Sequence, residues 1–79
     1  MNELINRLGK VATSKMRLIN RIRKNGDYAD NIRKCPIYSE FYGILQALAC
    51  MQMSVELEWH PEDVKIMSAI TIMGIRFEL

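Results

Sequence analysis

Proline is scarce in this 79-residue chain, with two residues, and glycine is little commoner, with four. There is one histidine and one tryptophan, and the two cysteines do not form a C-x-x-C pair. Scarce Pro and Gly beside a hydrophobic fraction of 49% exclude a collagen-like, low-complexity or disordered chain. Cys35, Cys50 and His60 fall short of the roughly four ligands of a structural zinc site. Two cysteines cannot build a disulfide framework. They read as buried thiols of a reducing compartment, with one Cys35–Cys50 bridge as the alternative in a secreted chain. No stretch reaches the roughly 20 apolar residues of a membrane span. The opening Met1-Asn-Glu-Leu-Ile-Asn-Arg-Leu-Gly-Lys is interrupted too often to be a signal peptide. The expected location is therefore the cytosol, with no membrane partner.

Catalytic signatures are missing as well. No Gly-rich phosphate loop and no nucleophile elbow occurs. The one conceivable set, Cys35 or Cys50 with His60 and Glu58, lies in no activating motif. The chain is expected to be non-enzymatic, with no cofactor and no metal.

Charge is present and unevenly placed. Residues 1–36 hold nine Lys/Arg against three Asp/Glu, a net of +6, and residues 37–79 hold two against six, a net of −4. Such segregation points to an electrostatically guided partner. A chain this short also buries only about 60% of the surface its unfolded form exposes, so a second copy could add burial.

Three segments follow one another in a single domain, separated by Asn25-Gly26 and Cys35-Pro36. On a wheel of about 100° per residue, Leu4, Leu8, Val11, Ala12, Leu18, Ile19 and Ile22 share one face, with Ile5 and Met16 at its flank. Arg7, Lys10, Arg17, Arg21 and Lys24 share the opposite face. This predicts a helix over 3–24, apolar toward the core and basic toward solvent, stopped by Gly26. Residues 27–37 are a connection with room for one helical turn. A second helix is expected over 38–52, with Ser39 as N-cap and Phe41, Ile44, Leu45, Leu48 and Ala49 buried.

The last third admits two readings. Pro61-Glu62-Asp63 suits the first turn of a helix. Against this, Val55, Leu57 and Trp59 alternate with Glu56, Glu58 and His60, and Ile66, Ser68, Ile70 and Ile72 continue at period two. A helix over 64–77 would be apolar nearly all round and would contain Gly74. Alternating β-branched residues favour strands over 54–60, 65–72 and 75–79. The expected fold is α+β, two helices on one face of a three-stranded antiparallel meander. Phe41 and Trp59 point to the core in this register.

The stripe Arg7, Lys10, Arg17, Arg21 and Lys24 is the leading candidate for a partner site. A solvated helix face usually mixes Glu with Lys, whereas here Glu3 is the only acid before Asp27. The stripe suits an acidic surface of a larger protein, or nucleic-acid phosphates. No aromatic is interleaved to stack on bases. Tyr38 and Tyr42 are candidate aromatic anchors. The strand face of Glu56, Glu58 and His60 spaces its members about 6.5–7 Å apart, too far for one ion without further ligands. It reads instead as a solvated edge, or as the receiver of another copy's basic helix. In style, a compact domain with segregated charge resembles small phage-encoded regulators and inhibitors, which implies occlusion of a site on a larger protein. The expected function is a small regulator or inhibitor binding a larger assembly through its basic helix. A DNA/RNA-binding regulator and a homo-oligomeric structural protein are the alternatives.

Overall fold

A computed structural model describes residues 2–79. The chain forms α1 (Asn2–Lys24), a single 3-10 turn at Ile32–Lys34, α2 (Pro36–Cys50), β1 (Val55–His60), β2 (Asp63–Ile72) and β3 (Ile75–Glu78). The strands make one antiparallel sheet in the order β1-β2-β3. The α+β meander read from the alternating last third is the observed fold. Both helices contribute to one core on one sheet face. Its sheet side consists of the cross-strand rows Val55–Ile72–Ile75 and Leu57–Ile70–Phe77.

The junctions follow from backbone chemistry. Gly26, at φ +81°, closes α1 in a Schellman arrangement, in which Gly26 N–H donates to the Arg23 carbonyl and Asp27 N–H to the Ile22 carbonyl. Pro36 takes the first position of α2, where its missing N–H costs nothing, so the helix starts before the expected Ser39 cap and Cys35 is the N-cap residue. Gln52, at φ +59°, ends α2 the same way Gly26 ends α1, so the helix stops at Cys50, two residues short of the expected end at 52. Met73 and Gly74 both adopt positive φ in a two-residue hairpin, the conformation such a turn needs to match strand twist. Cys35 is buried and Cys50 exposed, both as free thiols. They flank a helix about 22 Å long, beyond the reach of a disulfide.

Two α1 residues with little or no apolar surface set how the helix sits. A Cβ on Gly9 would fall 2.4 Å from the Phe77 ring, so the helix backbone rests directly on β3. Asn20 clamps β2: its Nδ2 donates to the Met67 carbonyl at 2.8 Å, and its Oδ1 accepts from the Met67 N–H at 2.9 Å. β3 pairs only with Ala69–Ile72, so Met67 finds no strand partner there, and the side-chain amide takes that place. Asn20→Ala is expected to cost about 1–2 kcal/mol by leaving both Met67 groups without partners. Urea denaturation measures this, and an unchanged midpoint would show the clamp to be redundant.

These two contacts turn α1 away from the orientation that the wheel predicts. The buried side is Ile5, Gly9, Ala12, Thr13, Met16 and Ile19. Leu4, Val11 and Leu18, expected in the core, are 50%, 47% and 41% exposed. Phe41 is buried as expected, but Trp59 is not, at 42% exposure. Strand register slips on both sides of Trp59, and it lies beyond the last complete core row.

Candidate functional site

The solvent side of α1 is the candidate site. Arg7, Lys10, Arg17, Arg21 and Lys24 are all exposed along its length. Arg7 is paired with Glu3 one turn earlier, at 3.2 Å. Both side chains are well solvated, so the pair contributes little. Among the described residues, Lys10, Arg17, Arg21 and Lys24 have no carboxylate at ion-pair distance. From Arg7 to Lys24 the stripe runs about 25 Å at the helical rise per residue. Lys15 lies outside it and ties α1 to α2 through Glu40, at 2.7 Å.

Beside the stripe lies the apolar line of Leu4, Val11 and Leu18. Seven-residue spacing drifts only about 20° per repeat on a straight helix, so the three side chains form one seam. Arg7 and Arg21 follow Leu4 and Leu18 by three residues and border that seam. The face therefore combines positive charge with apolar surface left uncovered by the fold. The sequence displayed both sets of residues, but apolar periodicity assigned the seam to the core.

Tyr38 and Tyr42 lie elsewhere. Tyr38 packs against the core and Tyr42 is 52% exposed. With Arg33 and Ser39 they line a surface hollow of about 290 Å³. The α1 residue that reaches Tyr38 is Arg23, which is not in the stripe; its guanidinium lies 5.9 Å from the ring centroid. The structure thus does not bring the two tyrosines and the stripe into one constellation.

The acidic strand face is also rearranged. Register shifts between Glu58 and Trp59, and again between Trp59 and His60, interrupt the expected row. Arg76 on β3 reaches across β2 to Glu58, with contacts of 2.7 and 3.1 Å, and also pairs with Glu78 at 2.5 Å. The residue between Glu58 and Glu78 in the strand register is Ala69, whose small side chain is fully buried. Among the described residues no three His, Cys, Asp or Glu side chains come together as metal ligands.

The hydrogen bond from Arg76 is the main cause holding the Glu58 carboxyl below its ordinary pKa; desolvation opposes it and the Arg76 charge adds to it. The Arg76 pKa is raised in turn. A depressed folded-state pKa stabilises the fold above the carboxyl's unfolded pKa, and this contribution is lost as pH falls through the folded value. Arg76→Ala is expected to move the Glu58 titration upward, read by carboxyl carbon chemical shifts. A midpoint unmoved by the substitution would mean that the bridge does not persist in solution.

No helix among the described residues is long and apolar enough to cross a membrane. The chain matches no family model, and no curated protein or solved structure is significantly similar to it.

Proposed function

We propose that this chain is a non-enzymatic interaction module of the cytosol that docks α1 onto an acidic surface of a larger protein and regulates or inhibits it by occlusion. The observation that carries this reading is the pairing, on one helix face, of unpartnered cations with the exposed seam Leu4, Val11 and Leu18. Cations alone would serve phosphates equally well. The apolar seam supplies burial that a phosphate backbone does not reward, and it favours a protein.

Magnitudes divide the work between the two sets. Covering the remaining exposed half of three aliphatic side chains contributes about 3 kcal/mol in all. Association costs at least about 4 kcal/mol in lost rigid-body freedom. The seam must therefore be the centre of a wider contact, with the cations raising the encounter rate and setting orientation.

Capture by the tagged chain from a nuclease-treated lysate of its native cells tests this reading. The expected result is one protein retained at near-equal molar yield and released by raised salt. Recovery of nucleic acid, or loss of every protein after nuclease, would move the function to the phosphate-binding alternative.

A further inference from the structure

The outer edge of β1 carries features that the α1 reading does not use. β1 is an edge strand, so one side of its backbone has no strand partner. The register slip after Glu58 limits its regular part to Val55–Glu58. α2 lies against α1 and touches β1 only lightly. Between α2 and β1 a groove of about 330 Å³ remains, lined by Leu45, Ala49, Met53, Val55 and Leu57. The opposite face of the same strand carries Glu56 and Glu58. Glu58 is held by Arg76, while Glu56 is exposed and has no cation within ion-pair distance among the described residues.

Each feature restricts what can sit there. Unpaired main-chain groups accept an extended segment that continues the ladder. In such a segment alternate side chains point to opposite faces. Those on the Val55 and Leu57 side enter the groove and must be apolar. Those on the other side meet Glu56 and are favoured when basic. A second copy pairing through its own β1 fails this requirement. Pairing β1 with β1 and apolar faces aligned sets Glu56 and Glu58 beside the same acids of the other chain, and like charges across strands are destabilising. We propose that the β1 edge and the groove beneath α2 form a strand-docking site for an extended partner segment that alternates apolar and basic residues. This site is separate from the α1 face and stands whether or not that reading holds.

The probe is an end-capped Val-Lys-Val-Lys-Val peptide, titrated into the isotope-labelled full chain and followed by amide NMR. Shift changes are expected at Val55–Glu58 and at Leu45, Ala49 and Met53, saturating by about 5 mM peptide, as a short segment of modest affinity requires. The Val-Glu-Val-Glu-Val peptide, or the Lys peptide with Glu56→Lys protein, is expected to bind about tenfold more weakly. N-methylation of one alternate set of peptide amides should abolish binding, and of the other set leave it intact. Absent shifts at β1, or equal binding of the acidic peptide, would overturn the proposal. So would a concentration-dependent dimer with protected β1 amides, which would assign the edge to a second copy.

Discussion

Gly9→Ala is expected to destabilise the protein by about 3 kcal/mol, although helix propensity alone would make it stabilising by about 1 kcal/mol. The added methyl would sit 2.4 Å from two atoms of the Phe77 ring. Relief requires either that the ring swing out of the Leu57–Ile70–Phe77 row or that α1 lift from β3. Both expose apolar surface that the fold now buries. A double-mutant cycle with Phe77→Ala isolates the contact. Phe77→Ala removes the obstructing ring, so Gly9→Ala in that background is expected to be neutral or mildly stabilising. Urea denaturation of the four proteins should give a coupling of at least about 2 kcal/mol. Additive single effects, or a stabilising Gly9→Ala in the parent, would show that α1 does not rest on Phe77.

That contact matters for the candidate site because it fixes which side of α1 faces water. Here the sequence was legible in part. Helix α1, its Gly26 stop and all three strands were readable from periodicity, cap chemistry and β-branched alternation. The rotation of α1 was not. A wheel weighs side chains by hydrophobicity, so it gives Gly9 no weight and places Asn20 outside the core. Yet the backbone of Gly9 rests directly against the Phe77 ring, and the Asn20 amide replaces a missing strand partner for Met67. The seam of Leu4, Val11 and Leu18 was therefore hidden among presumed core residues. The basic stripe was readable because solvated charge is placed by exclusion from the core and needs no exact register. Strand alternation points Trp59 to the core because it carries no sign of the register slips that flank that residue.

The second large effect belongs to the seam. Val11→Glu combined with Leu18→Glu should weaken binding to the captured partner by about 100-fold, close to 2.7 kcal/mol, mostly through faster dissociation. Both positions are nearly half exposed, so the fold should lose no more than about 1 kcal/mol. Arg17→Ala combined with Arg21→Ala acts differently. These cations are solvated and have no internal partner, so their loss should lower the association rate and flatten its salt dependence, with a smaller change in dissociation. Surface-based kinetics at several salt concentrations separate the two. If both pairs slow association alike and neither changes dissociation, the seam makes no contact and the face works by charge only.

Hydrogen–deuterium exchange of the chain, free and saturated with its captured protein partner, tests the central claim most directly. The account predicts added protection concentrated in the peptides covering Leu4–Lys24, with the outer sheet strand β3 and the Tyr38–Tyr42 hollow unchanged. Protection confined to other elements, with α1 exchanging as in the free chain, would contradict it.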